Sequence, residues 1–381
     1  MKSKKEEREL LLIGGGHTHS LVLRELGRRP IDGVSVTLVS DSTEAAYSGA
    51  VPALIEGRIS REDAFINLLK LTEWAGAQFI QDTVVNINAA EKIVLLKNRG
   101  ELQSEILSIN TGIHTPLIEG VDNDTSCIAV KPIAPFLLWL RMLEEELKVE
   151  SQTIRIAIVG GGAAGVEISL ALKKRFSRIV GGENLHLTII DRSEVILPAY
   201  PGKAREVVSA VLKEQAIRVI KGVSVKRRVG KRLEFKNGKS AEVDRVIFAT
   251  GAKPERWVAD CGLRLSSRGF IETDDTLQST SHAGVFAVGD IADISGEVRP
   301  KAGVFAVRQA TPLLHNLRSF VKDDPLKRFQ FQTKFLKLIG LANGRVLFIR
   351  GKTVLFGRWV LRLKNFIDLR FIRGFSNLTR R

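Results

Sequence analysis

The chain has 381 residues, 44% hydrophobic and 26% charged, more than one hydrophobic core usually serves, so two or more domains are predicted. No apolar run approaches the roughly 18 residues of a membrane-spanning helix. The charged opening "MKSKKEEREL" has no apolar core of a secretory signal, so the expectation is a cytoplasmic protein. The net charge of +16 suits nucleic acid, an anionic membrane surface or anionic ligands, and half of it sits in residues 350–381, where nine Lys/Arg face the single acid Asp368. No nucleic-acid signature accompanies that charge, so nucleic acid is not an expected partner.

In chain order, the first predicted strand is "LLLI", residues 10–13, followed by Gly14, Gly15 and Gly16 and by a helical run from His17. This is a degenerate phosphate-binding fingerprint, because His19 stands where a third glycine is usual. His17 and Thr18 open the helix at the phosphate position. The next strand, "VSVTLVSD", ends in Ser40 and Asp41 at the ribose position. His17 and His19 are two positions apart with no third ligand near, so no metal is expected. His19 is expected at the helix start near the phosphates or packed on the sheet.

The second turn fits the fingerprint better. "IRIAIV", residues 154–159, reads as a buried strand, and Gly160, Gly162 and Gly165 supply G-x-G-x-x-G with Ala163 and Ala164 between them. The first glycine makes the tight turn, the second lets backbone N–H groups approach a pyrophosphate, and the third lets helix and strand pack closely. The helix N-terminus favours the phosphate charge. The following strand, "LHLTIID", ends in Asp191, which would accept hydrogen bonds from an adenosine ribose and repel a 2′-phosphate. Arg192 beside it weakens that preference, so NADH against NADPH stays open. The plain alternative is a glycine-rich turn that holds no ligand. Two such units suggest two dinucleotides, one FAD and one NAD(P)H, with hydride passing between them.

Cys127 and Cys261 are far apart and form neither a CxxC nor a zinc pattern. Both read as small apolar filler in a reducing compartment.

Two later stretches, "VDRVIFATGAKPE" (residues 243–255) and "HAGVFAVGDIAD" (residues 282–293), end strands in Ala-Thr-Gly and Gly-Asp. With the two glycine turns, these resemble the two-dinucleotide-binding-domain flavoproteins of the pyridine nucleotide-disulfide oxidoreductase superfamily over roughly residues 9–320. The resemblance implies an α/β fold with two Rossmann-like dinucleotide-binding domains and a small C-terminal extension. Residues 1–116 and 265–320 would form the FAD domain, 117–264 the NAD(P)H domain inserted into it, and 321–381 a basic amphipathic extension. It further implies that Asp290, after Gly289, binds the FAD ribitol. Gly251, with Ala249 and Thr250, would lie beside NADH, and Thr111 and Gly112 would mark the first crossing between domains.

The stretch "AAYSGAVPALIEG", residues 45–57, lacks the cysteine pair of the disulfide reductases, so a thiol relay there is excluded. Sulfide chemistry is disfavoured on the same ground, because neither cysteine falls where a sulfur-holding pair would. "GGGHTH", "YSGAVP" and "RPKAGVFAVRQATPLLHNL" look most like type II NADH dehydrogenases and the NADH-dehydrogenase-like domain found fused to selenophosphate synthase. That likeness implies an NADH:acceptor oxidoreductase with quinone as acceptor. One departure bears on the acceptor: Gly303, Val304, Ala306 and Arg308 occupy the positions of the Ala-Gln-x-Ala-x-Gln motif beside the quinone, and both glutamines are missing. A soluble acceptor is therefore the first alternative. A non-catalytic flavoprotein that binds membrane or nucleic acid is the second.

Hydride transfer needs stacking and alignment more than an acid or base. Glu167 stands where the family places a carboxylate near nicotinamide and flavin. Lys301, near the start of a helix predicted from about Ala302, would add positive charge beside the reduced flavin. Tyr47, Ser48 and Pro52 would lie over the flavin on the acceptor side. In the C-terminal segment Trp359, Val360, Leu363, Phe366 and Ile367 fall on one side, and Arg362, Lys364, Asp368 and Arg373 largely on the other. Basic residues interleaved with aromatics suit the anionic inner face of a membrane. The competing reading is a helix packed on the protein's own core or on a second subunit of a homodimer.

Overall fold

The two apolar strands that precede the glycine turns each lie at the centre of a five-stranded parallel sheet. The computed structural model describes residues 7–121, 124–149, 153–297, 299–330, 332, 334–376 and 378. Arg8–Ile13 is flanked by Ile106–Ile109 and Val34–Ser40, with Val285–Ala287 and Gln78–Gln81 at the edges. Ile154–Val159 is flanked by Arg245–Phe248 and Leu185–Ile190, with Cys127–Ala129 and Arg218–Ile220 at the edges. Strands buried on both faces must be apolar throughout, which explains the unbroken "LLLI" and "IAIV" runs. This is the expected α/β class with two Rossmann-like units.

The edge strand Val285–Ala287 joins the first sheet although it follows every strand of the second, so the second unit is inserted into the first. Trp257, Val258, Cys261 and Leu263 already pack with Leu11, Ile13 and Ile109 in the core of the first sheet, although they precede residue 264. In the first unit the helices His17–Arg28 and Gly303–Val321 pack against each other.

After residue 321 the chain forms an antiparallel sheet, Leu336–Gly340, Val346–Arg350 and Thr353–Gly357, and then the helix Arg358–Ser376. Ile339, Leu347, Ile349 and Val354 enter the core of the second unit, together with Val51 and Ile55 of the N-terminal loop region. Ile372 and Phe375 enter the core of the first. The extension thus ties the two units together by burial of apolar surface.

The C-terminal helix faces differently from the expected stripe. Val360, Lys364, Ile372 and Phe375 are buried, whereas Trp359 and Phe366 are 54% and 61% exposed. Positions 360, 364, 368, 371, 372 and 375 follow the helical repeat and form the inner face. Lys364 belongs to it because its ammonium group finds two oxygen partners there, described below. Arg380 and Arg381 lie outside the described residues. Among the described residues no helix is long and apolar enough to cross a membrane, and no three His, Cys, Asp or Glu side chains gather as a metal site.

Candidate active site

The opening turn is built by close backbone approach. Gly14 has φ +88°, and a Cβ there would lie 2.6 Å from the Asn110 carbonyl oxygen. A Cβ on Gly16 would meet the Asn110 side chain at 2.5 Å. Gly16 caps the helix without a side-chain hydrogen bond, which leaves the first-turn N–H groups of His17 and Thr18 pointing out of the helix end. Thr18 Oγ1 donates to the Ala306 carbonyl (2.7 Å) and so fixes this helix to Gly303–Val321.

His19, in place of the third glycine, is fully buried beneath the turn. Its Nδ1 lies 2.8 Å from the Gly14 carbonyl and its Nε2 2.8 Å from Ser108 Oγ. A carbonyl can only accept, so the proton sits on Nδ1 and Nε2 accepts from the serine. Burial pushes the imidazole pKa down to about 4, against the hydrogen bond to Gly14. Asn110 completes the lock: Oδ1 accepts from His19 N–H (3.1 Å) and Nδ2 donates to the Val288 carbonyl (2.9 Å). The side chain here packs on the sheet and does not point at a phosphate.

The Gly-Asp turn follows directly after Val288. Gly289 has φ +74°, and its N–H donates to Gln309 Oε1 (2.7 Å). Asp290 Oδ2 accepts from Lys131 Nζ at 2.8 Å. Asp41 is exposed at the end of its strand, and Thr111 and Gly112 follow the strand Ile106–Ile109. Two buried side-chain atoms in this region have no hydrogen-bond partner: His17 Nε2 and Thr111 Oγ1. Buried polar atoms are rarely left without partners. The His17 pKa is pushed down to about 4 by burial, with Asp290 opposing and Lys131 assisting.

Lys301, expected to add positive charge beside the reduced flavin, is held by Asp293. Its Nζ donates to Asp293 Oδ1 and to the Ala292 carbonyl, both at 2.7 Å, and sits 3.7 Å from the centre of the Phe270 ring. Arg268 and Ser266 bind the same Asp293 carboxylate. The lysine charge is consumed in a buried cluster, and burial lowers its pKa despite Asp293.

The second turn meets the fingerprint in full. Gly160 has φ +120°, and a Cβ there would lie 2.5 Å from the Ala249 carbonyl oxygen. A Cβ on Gly165 would fall 1.9 Å from the Gly160 oxygen, so only glycine fits. Gly162 caps the helix Ala163–Val180 with no side-chain hydrogen bond, which again leaves free N–H groups at Ala163 and Ala164. Asp191 accepts from the backbone N–H of Gly161 and of Ser193. Gly251 is exposed just beyond Arg245–Phe248.

Glu167, one turn into that helix, is half-buried under the C-terminal sheet. Its Oε1 accepts from Gly340 N–H at 2.7 Å. Burial raises its pKa to about 7, against the charge of Lys364 and the Gly340 hydrogen bond. Lys364 Nζ donates to the Gly49 carbonyl (2.8 Å) and Asp368 Oδ2 (2.7 Å), and the Tyr47 hydroxyl donates to Asp368 Oδ1 (2.9 Å). The Tyr47 and Phe371 rings stack with centroids 4.6 Å apart, and the His17 ring lies 5.5 and 5.7 Å from them. Ser48 and Pro52 belong to the short helical turns that follow Tyr47.

Residues 8–310 match the family described as pyridine nucleotide-disulphide oxidoreductase. The chain belongs to that family. Its members are NAD(P)H-dependent flavoprotein oxidoreductases. A type II NADH:quinone oxidoreductase of Haemophilus influenzae is 28% identical over 214 residues, 52% of this chain and 48% of that protein. The chain thus matches about half the length of that relative. An NADH oxidase of Methanocaldococcus jannaschii is 28% identical over 327 residues, 78% of this chain and 67% of that one. Two solved structures share the fold at a TM-score of 0.79. One is NDH2 of Plasmodium falciparum in complex with NADH, at 15% identity and 96% and 98% coverage of the two chains. The other is the sulfide:quinone oxidoreductase of Aquifex aeolicus, at 17% identity and 98% and 92% coverage.

The residues around the first turn fit FAD. Free N–H groups suit its pyrophosphate, and the unpartnered His17 Nε2 and Thr111 Oγ1 offer polar contacts that the protein itself does not satisfy. Sequence reasoning missed Asn110, Ser108, Gln309, Lys131 and Phe371, and did not foresee that Lys364 would be buried. Asn110 stood inside "SINTG" and Gln309 inside "RQATPLL", but nothing local distinguishes them from ordinary polar residues. The partners of Asn110 and Gln309 given above are 20 to 178 positions away.

Proposed function

We propose that the chain is an FAD-dependent NADH:quinone oxidoreductase. Bound FAD would supply a two-electron carrier between the nicotinamide and the acceptor. Gly14, Gly15, Gly16, His17 and Thr18 would hold the FAD pyrophosphate, Asp41 the adenosine ribose, and Asp290 the ribitol, with Thr111 and Gly112 alongside. Gly160, Gly162, Ala163, Ala164 and Gly165 would hold the NADH pyrophosphate, Asp191 its ribose, and Gly251 would border the nicotinamide half. Arg192, exposed beside Asp191, would meet a 2′-phosphate, so NADPH is the alternative donor. Glu167, with its pKa raised to about 7 and so able to hold or release a proton near neutral pH, would orient the carboxamide or carry a proton.

The observation that carries the quinone reading is the wall formed by His17, Tyr47 and Phe371. Phe371 stacks on Tyr47 and on His17, while His17 and Tyr47 are tilted by 45°, and this partly exposed aromatic cluster would border a planar acceptor. Tyr47 and Lys364, joined through Asp368, add protic groups beside it. On the outside, Leu355, Phe356, Trp359 and Phe366 are exposed among Lys352, Arg358, Arg362 and Arg370, which suits an anionic lipid surface from which a quinone would be drawn. The soluble-acceptor reading rests on Gly303, Val304, Ala306 and Arg308 in place of the two glutamines. The similarity to an NADH oxidase favours that reading equally.

The test is anaerobic. NADH should bleach the flavin spectrum within the mixing time of rapid kinetics, and a short-chain quinone should restore it faster than ferricyanide or oxygen. Bleaching without reoxidation by quinone leaves the soluble-acceptor reading. A flavin that neither NADH nor NADPH bleaches rejects both.

A further inference from the structure

The sequence offered Lys301 as the positive charge beside the flavin, and the structure spends that charge on Asp293. Another lysine stands at the Gly-Asp turn. Lys131 follows the strand Cys127–Ala129 of the second unit, and its carbonyl accepts from Thr115 N–H at 3.2 Å. Its Nζ crosses to the first unit and binds Asp290 Oδ2 at 2.8 Å. Asp290 Oδ1 has no hydrogen-bond partner among the described residues. His17, whose Nε2 is also unpartnered, lies close enough to feel both charges. Three chain segments thus bring together one cation, one half-satisfied carboxylate and one neutral imidazole.

We propose that Lys131 is a positioning residue for the flavin: it fixes the Asp290 carboxylate with Oδ1 open to the ribitol, and it places a positive charge beside the isoalloxazine. This rests on the reading of Gly289 and Asp290 as the flavin turn. A flavin that accepts a hydride gains one negative charge. With Lys131 present, the Asp290 charge is balanced and that gain is tolerated. Without it, Asp290 keeps only the more distant charge of Lys301, which Asp293 already pairs, and repels the added charge, so reduction becomes harder. The side chains of the pair are 32% and 21% exposed, and ion pairs this accessible to water contribute little to folding. A purely structural role therefore predicts small effects everywhere.

The experiment compares wild type with Lys131→Met, Lys131→Gln and Lys131→Arg after loading with FAD. The readouts are the FAD dissociation constant from fluorescence and the two-electron midpoint potential against a reference dye. In the Met and Gln variants FAD binding should weaken about tenfold. The potential should fall by about 30 mV, a tenfold change in the reduction equilibrium. The Arg variant should recover both. Unchanged binding and potential in the Met and Gln variants overturn the proposal. So does a loss of affinity without a shift in potential, or a loss that arginine does not restore. A wild-type chain that binds no FAD rejects the flavin-turn reading beneath it instead. The thermal melting of each variant without FAD separates misfolding from these outcomes.

Discussion

Tyr47 and Asp368 stand 321 positions apart in the chain and share a hydrogen bond of 2.9 Å between the acceptor-side loop and the C-terminal helix. The second oxygen of the same carboxylate holds Lys364, whose side chain is 7% exposed. Asp368→Asn would leave that ammonium buried with only the more distant Glu167 carboxyl near it. Removing one partner of a buried pair costs about 3 kcal/mol or more. The expected outcome is a large shift in the urea midpoint for Asp368→Asn. Tyr47→Phe should cost about 1 kcal/mol, lower quinone turnover and leave flavin bleaching by NADH unchanged.

Glu167 should make stability depend on pH around neutrality. Its pKa rises from 4.5 to about 7 in the folded chain, chiefly through burial. A raised carboxyl favours the folded state while it stays protonated. That contribution is fully present below about 4.5 and is lost as pH rises through about 7, by about 3 kcal/mol in all. Melting temperatures of wild type and Glu167→Gln, measured from pH 5 to 8.5, should diverge as pH rises, with the wild type falling relative to the variant. Parallel curves would show that the carboxyl is not buried as described.

His19 has the opposite sign. Its pKa falls from 6.5 to about 4 on burial, so the folded state excludes a proton that the unfolded chain binds. Its contribution is present above 6.5 and is lost as pH falls through about 4, by about 3 kcal/mol. His19→Gln keeps a donor and an acceptor but cannot be charged. It should retain FAD at neutral pH and release it at a lower pH than wild type does. His19→Ala, which leaves the Gly14 carbonyl and Ser108 without partners, should fail to retain FAD at any pH.

Gly165→Ala tests the second turn alone. The added Cβ would overlap the Gly160 carbonyl at 1.9 Å, and neither backbone can yield without opening the turn. NADH affinity should fall at least a hundredfold, whereas FAD content, measured from the visible spectrum, should match wild type.

The exposed aromatics of the C-terminal segment should govern contact with lipid. Trp359→Ser with Phe366→Ser should reduce sedimentation with vesicles of anionic phospholipid about tenfold. Because both side chains are more than half exposed, the melting temperature should barely move. Equal sedimentation of the double variant and wild type would reject the membrane face.

The sequence determined the two sheets and the two glycine turns. Their signals are local: an unbroken apolar strand needs no distant partner to be recognised, and Gly165 is required by the Gly160 carbonyl five positions before it. Ala302, expected to start a helix, does cap one. The helix was legible because it depends on residues within a few positions of one another. Which way a charged side chain points was not legible. Lys301 was expected to add charge beside the flavin, and the tertiary structure joins it to Asp293 as well. Lys364 was placed on the polar side of the helix, opposite its apolar residues, and lies buried, because Gly49 and Asp368 receive it there. Lys131 drew no attention until the fold set it 2.8 Å from Asp290, 159 positions later in the chain. Backbone geometry follows from short-range sterics and patterning. The orientation and pairing of buried charges depend on which oxygens the completed tertiary structure leaves within reach.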